Sequence, residues 1–123
     1  YLGNLEARRD FTYVDDIARA AVMLASKDGI EGQVFNAGSG KDYSVKELAN
    51  EISMIMRGTP AKITVDNRRL RPFDVERLVC DSSKLRKLTG WKSQVTLEEG
   101  LEKTVEWYRA NDCMWEWERR YSS

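Results

Sequence analysis

The chain has 123 residues, room for one domain with a real core and not comfortably for two. Apolar residues make up 41% and charged residues 33%, which excludes a disordered or collagen-like chain. Lys plus Arg count 20 and Asp plus Glu count 20, so no overall field draws the chain to nucleic acid or to an anionic membrane, although a local basic patch is still allowed.

Leu2 to Leu5 carry no helical period, and Gly3-Asn4 is a turn signal. Arg9 to Val14 reads as a short strand from its aromatic and β-branched content. Asp15 and Asp16 then open a helix whose apolar face is expected at Val14, Ile17, Ala18, Ala21, Leu24 and Ala25. Acidic residues suit the positive end of its dipole. Gly29 and Gly32 end it, and Gln33 to Ala37 reads as a second strand, closed by the turn Gly38-Ser39-Gly40.

Ser44 with Glu47 has the spacing of a capping box, in which a hydroxyl and a carboxylate satisfy each other's backbone N–H groups. The helix behind it should bury Val45, Leu48, Ala49, Ile52, Ile55 and Met56 before Gly58-Thr59-Pro60 stops it. Lys62 to Asp66 alternates like a half-exposed strand. Asn67 to Asp74 reads as a loop, locally basic through Arg68, Arg69 and Arg71. Val75 to Cys80 is apolar enough to return to the core. Asp81-Ser82-Ser83 can cap a short helix through Leu85 and Leu88, ended by Gly90 and followed by Trp91. Thr96 with Glu99 makes a second capping box, opening a helix that buries Leu97, Leu101, Val105 and Tyr108. The tail from Asn111 has Trp115 and Trp117 without a clean period, which suits packing or interface roles. The order is α/β, with short strands and about four helices, and with too few strands for a complete doubly wound sheet.

The chain has no histidine, which removes His-based triads, His proton shuttles and most zinc sites; no metal site is expected. Cys80 and Cys113 do not form a disulfide framework, and reduced thiols in the cytoplasm are the expectation. No run of about 18 apolar residues offers a membrane span. Arginine suits a phosphate because its planar fork donates parallel hydrogen bonds and stays charged. Arg9 and Arg71 sit in two loops that could converge on one diphosphate, and Asp74 could accept from a ribose diol. From spacing alone, a solvated basic surface with ordinary ion pairs accounts for the same residues. Gly38-Ser39-Gly40 lacks the third glycine of a dinucleotide loop and the Gly-Lys-Ser/Thr of a P-loop, so it reads as a strand-to-helix turn. Tyr13 and Tyr43 have Ile17 and Glu47 four residues on, where a catalytic phenol of a hydride-transfer enzyme would want lysine. No catalytic residue is assigned.

Several segments taken together resemble a known family. Arg8-Arg9-Asp10-Phe11-Thr12-Tyr13-Val14-Asp15-Asp16, then Val34 to Gly40, then Ser44 to Ala49, are similar in order to the substrate-binding portion of extended short-chain dehydrogenase/reductases. Arg71-Pro72-Phe73-Asp74-Val75, Asp81 to Lys84, Leu88-Thr89-Gly90-Trp91 and Leu97 to Leu101 continue that likeness. Gly3-Asn4-Leu5 ahead of Arg9-Asp10-Phe11 looks most like nucleotide-sugar 4,6-dehydratases, with epimerases and decarboxylases of the superfamily close behind. The resemblance implies that Arg9 and Arg71 bind the substrate diphosphate and that Asp74 accepts from the nucleotide ribose. It implies a carboxy-terminal portion of an extended Rossmann-type fold, with residues 1–123 forming one substrate-binding segment. The opening at Tyr1, already like mid-domain sequence, fits a piece of a longer polypeptide. NAD and the catalytic residues would then lie upstream, in a parent that is a homo-oligomer acting on a nucleotide-diphosphate sugar. The reaction implied is hydride removal from C4, loss of water across C5 and C6, and hydride return to C6. A non-catalytic nucleotide-sugar binding module is the alternative outside the enzyme class.

Overall fold

The computed structural model describes residues 1–111. The expectations at Cys113, Trp115 and Trp117 lie outside the described residues. A three-stranded sheet of very short strands holds the centre: β1 (Arg8–Arg9), β2 (Tyr43–Ser44) and β3 (Arg77–Leu78), in the order β2-β1-β3. β2 runs antiparallel to β1, with Arg8 opposite Ser44; β3 runs parallel to β1, with Arg8 opposite Arg77. Around it lie α1 (Val14–Ala25), α2 (Val45–Arg57), α3 (Ser83–Thr89) and α4 (Leu97–Ala110).

The two capping boxes are realised at their chemistry, whereas α1 ends at Ala25 with Ser26 as its cap, short of the expected Gly29 and Gly32. Ser44 Oγ accepts from Glu47 N–H (3.1 Å) while Glu47 accepts from Ser44 N–H (2.6 Å). Thr96 and Glu99 do the same for α4. Gly58 and Gly90 end α2 and α3 in the left-handed conformation that side chains disfavour. α2 packs along α4, with Arg109 donating to Met56 O (3.3 Å). Val45, Leu48, Ala49, Ile52 and Ile55 of α2 are half-buried as the period requires, but Met56 is exposed.

Helix α1 turns differently from its apolar pattern. Val14, Ile17, Ala18, Ala21 and Ala25 are exposed, and Asp16, Ala20 and Met23 face inward with Leu24. The cause is Asp16, whose side chain is only 2% exposed. Its carboxylate accepts from Gln94 N–H (3.0 Å), Val95 N–H (3.0 Å) and Ser93 Oγ (2.9 Å), and is paired with Arg19. Trp91 Nε1 donates to the Asp16 carbonyl (2.9 Å). A buried carboxylate needs all its donors, so this cluster sets the helix rotation. Trp91, Leu85 and Ala20 form the core beneath it, joined by Met23, Leu24, Phe35 and Ala37.

The strand expectations fail where a partner is needed. Of the segment Arg9 to Val14 only Arg9 is laddered, within β1, and Val14 already belongs to α1. Gln33 to Ala37 keeps a strand's alternation, with Val34 80% exposed and Phe35 and Ala37 inward. It has no backbone ladder among the described residues. Lys84 holds it instead, donating from Nζ to Val34 O (2.9 Å) and lying 4.3 Å from the Phe35 ring centre. Lys62 to Asp66 contributes a single parallel bridge, Leu2 to Val65. Val75 to Cys80 returns inward only at its end: Val75 and Leu78 are exposed on β3, a sheet edge, while Val79 and Cys80 are half-buried.

Candidate functional site

Successive residues of a strand point to opposite faces, and Arg8 and Arg9 show the consequence. On one face Arg8 donates to Asp42 Oδ2 (2.6 Å) and pairs with Glu47 (3.1 Å), while Arg77, its neighbour across β3, donates to both oxygens of Asp42 (2.9 and 3.0 Å). The Arg77 and Arg8 bonds hold the Asp42 carboxyl far below the usual carboxylate range. The bond to Asp42 likewise raises the Arg8 guanidinium. These charges close on one another.

On the opposite face Arg9 reaches Asp74. Its Nη2 donates to Asp74 Oδ1 (2.9 Å), and its Nη1 donates to Arg8 O (2.8 Å) and Val75 O (2.6 Å). The structure therefore brings together two of the three residues expected to bind, 65 positions apart. The two side chains keep 28% and 21% of their surface. A guanidinium has five N–H donors; three are engaged, so two have no partner among the described residues. Asp74 Oδ2 accepts from Asn4 Nδ2 (3.0 Å). Each carboxylate oxygen carries two acceptor positions, so Asp74 also keeps capacity for two hydroxyls.

Arg71 is the third expected residue. It is exposed, three residues before Asp74, and makes no hydrogen bond or ion pair with a described residue. The other two loop arginines are committed. Asp66 accepts from Arg68 Nε (3.0 Å) and Nη2 (3.0 Å), and Arg69 lies 3.7 Å from it. Asp66 also caps the short 3-10 turn Asn67–Arg69. The loop's apparent basicity thus reduces to Arg71. The loop is seated on the first residues of the chain: a Cβ on Gly3 would stand 2.6 Å from Arg69 O, so only glycine permits that approach.

Asp10 shows why the glycine turn is not a cofactor cradle. Its carboxylate accepts from Ser39 N–H (3.1 Å), Ser39 Oγ (2.6 Å), Gly40 N–H (2.8 Å) and Thr12 Oγ1 (3.0 Å). Burial pushes the Asp10 carboxyl up, but these bonds outweigh it and hold the group below its ordinary value. The N–H groups that would receive a phosphate are already taken by a carboxylate. Beneath the turn, a Cβ on Gly38 would stand 2.3 Å from Cys80 Cβ, which makes this a packing contact as well. This turn does not fit a dinucleotide phosphate. Cys80 is a half-buried thiol pushed up by burial and by the nearby Asp10 and Asp81 charges, which suits packing.

Beside Arg9 an open depression of about 320 Å³ is walled by Asp10, Asn36, Leu78, Cys80 and Asp81. Asn4 bonds to Asp74 at the site, Asp10 holds the turn beside it, and Asp42 ties together the opposite face of the sheet; none of these roles was expected from sequence, because each has partners distant in the chain. Among the described residues, no group of three or more His, Cys, Asp and Glu could hold a metal ion, and no helix is long and apolar enough to cross a membrane.

Comparison with known proteins agrees with this architecture. The family model described as GDP-mannose 4,6 dehydratase matches residues 1–104. A trifunctional UDP-glucose 4,6-dehydratase, 3,5-epimerase and reductase of Arabidopsis thaliana is 39% identical over 109 residues, covering 87% of this chain and 16% of that protein. The dTDP-D-glucose 4,6-dehydratase of Mus musculus is 37% identical over 112 residues, covering 88% of this chain and 31% of that protein. Among solved structures, UDP-glucose 4-epimerase of Thermotoga maritima with UDP-glucose superposes with a TM-score of 0.78 at 33% identity, over 90% of this chain and 34% of that one. The Pseudomonas aeruginosa protein RMD, complexed with NADPH, gives a TM-score of 0.73 at 29% identity, over 82% and 32%. The chain spans about a third or less of the length of each.

Proposed function

The chain belongs to the GDP-mannose 4,6-dehydratase family, and from that premise we propose that it is the substrate-holding portion of an NAD-dependent nucleotide-sugar 4,6-dehydratase. Its task in this reading is to bind the nucleoside diphosphate and orient the sugar, the positioning contribution to catalysis. Arg9 and Arg71 take the diphosphate and Asp74 takes the ribose hydroxyls. The observation that carries it is the Arg9–Asp74 pair: the guanidinium keeps two donors and the carboxylate keeps two acceptor positions after they have bonded each other. The pair is therefore a preorganised donor–acceptor couple, and the uncommitted Arg71 supplies unneutralised positive charge. Anion binding next to an internally paired arginine alone would be weaker, since Asp74 offsets its charge.

The turn Gly38-Ser39-Gly40 offers NAD(+) no phosphate cradle, because Asp10 occupies its N–H groups. In the proposed reading the cofactor and the proton-transfer groups come from another part of a longer, cytoplasmic, homo-oligomeric polypeptide. A second reading, an epimerase of the same superfamily, is favoured by the superposition on a UDP-glucose 4-epimerase; it assigns the same three residues the same contacts.

Titration calorimetry of the chain with UDP, GDP and dTDP tests the binding role. Saturable binding weakened separately by Arg9→Ala and Arg71→Ala is expected; affinity unchanged by both would overturn it. Incubation with NAD(+) and nucleotide-diphosphate hexoses tests the division of labour, with no 4-keto sugar expected and any measurable 4-keto product refuting it.

A further inference from the structure

We infer that Asn4 is a positioning residue for this site, acting through Asp74, which rests on the proposed contact between Asp74 and the ribose. The Asn4 amide is oriented by its own bonds. Its Oδ1 accepts from Glu6 N–H (3.0 Å), which turns Nδ2 outward to Asp74 Oδ2 (3.0 Å). Arg9 meanwhile holds Asp74 Oδ1 (2.9 Å). Either donor alone would leave the carboxylate free to rotate about its Cβ–Cγ bond. Two donors, one on each oxygen and from different parts of the chain, fix its plane and hence the direction of its remaining lone pairs.

The placement of Asn4 is built into the fold. Gly3 lies against the backbone of Arg69, where a Cβ would meet Arg69 O at 2.6 Å. Leu2 is tied to the following strand segment by Leu2 N–H to Thr64 O (3.1 Å) and Asp66 N–H to Leu2 O (2.8 Å). The turn is thus clamped on one side of residues 67–74, and the Asn4–Asp74 bond closes the other side, 70 positions along the chain. A diol recognised by a carboxylate requires that carboxylate to hold still, because both hydroxyl bonds depend on one plane; a diphosphate recognised by arginine does not. Asn4 therefore bears on the nucleoside and not on the phosphate.

The experiment compares three ligands, UDP, GDP and inorganic pyrophosphate, on the unaltered chain and on Asn4→Leu, Asp74→Asn and the double variant, with heteronuclear NMR spectra confirming that each remains folded. Loss of one hydrogen bond to a charged group predicts a fall of about tenfold in UDP and GDP affinity for Asn4→Leu, with pyrophosphate affinity unchanged. In the Asp74→Asn background, Asn4→Leu should add nothing, since its target is gone. Asn4→Gln, which keeps the amide donor, should recover part of the loss. If Asp74→Asn weakens nucleotides while Asn4→Leu does not, the positioning role is wrong and the ribose contact stands. If Asn4→Leu weakens pyrophosphate equally, the residue merely supports the loop and the inference fails. If Asp74→Asn changes nothing, or the unaltered chain binds no nucleotide, the ribose contact itself is wrong and the inference falls with it.

Discussion

Arg8 and Arg9 are adjacent, chemically identical and on the same two-residue strand, yet they face opposite environments. Arg8 meets Asp42 and Glu47, and Asp42 is met again by Arg77. Arg9 meets one carboxylate and two backbone carbonyls and retains two donors. A shared Asp42 between two arginines stitches three strands' worth of chain together, because β2 begins directly after it and Arg77 lies in β3. An arginine with spare donors beside a carboxylate with spare acceptors is organised but unfinished. Residue type and local sequence do not separate a fully paired arginine from one with donors to spare; the fold does.

The comparison breaks most directly if the two arginines are exchanged in effect. Arg9→Ala should lower nucleoside diphosphate affinity by roughly tenfold or more, the range expected for charge-assisted bonds, whereas Arg8→Ala should leave affinity within about twofold and lower Tm. Equal affinity losses, read by calorimetry on the two variants, would erase the distinction. Arg9→Lys sharpens it. The ammonium keeps the charge but has three donors on one point, too few to hold Arg8 O, Val75 O and Asp74 and still receive a phosphate. It should lose most of the affinity that the alanine variant loses; full retention would mean that charge alone suffices. A smaller effect is expected from ionic strength: raising salt from about 0.05 M to about 0.5 M shortens the screening length severalfold and should weaken diphosphate binding several-fold at the exposed Arg71. Arg71→Ala should flatten that salt dependence, and an unchanged slope would show that Arg71 is not part of the contact.

The helices were legible because their signals are local. Both capping boxes are read from residues three apart, and both are formed. The strands were not, because a strand needs a partner. Gln33 to Ala37 has the alternation but no ladder, and the strands that do form are two residues long, fixed by pairings between segments more than thirty residues apart. The face of α1 was misread for a related reason: its rotation follows the bonds of Asp16 to residues 93–95, which outweigh the apolar period. At the site, residue types alone left Arg9, Arg71 and Asp74 open between a diphosphate site and ordinary ion pairs, and the family resemblance singled them out. The pairing of Arg9 with Asp74 needed the fold, and so did Asn4, whose turn signal says nothing of a carboxylate 70 positions away.

The closed side of the comparison also has a pH signature. Asp42 is held below its ordinary value of 3.8 by the bonds from Arg77 and Arg8. A carboxyl with a depressed folded-state value binds its proton more readily in the unfolded chain, so its stabilisation is complete above about pH 4 and declines as pH falls below that. Asp10 and Asp16 are depressed in the same sense, each because its hydrogen bonds outweigh burial. The Tm should therefore be nearly level from neutral pH to about pH 5 and fall steeply below about pH 4. Asp42→Asn removes one titrating group while leaving Arg8 and Arg77 adjacent across the strands, so it should lower Tm at neutral pH and make the acid fall shallower. Nucleotide affinity at neutral pH should be unaffected, since Asp42 lies on the face opposite Arg9. A variant that loses affinity but keeps the acid profile of the unaltered chain would place Asp42 in the binding machinery and dissolve the separation between the two faces.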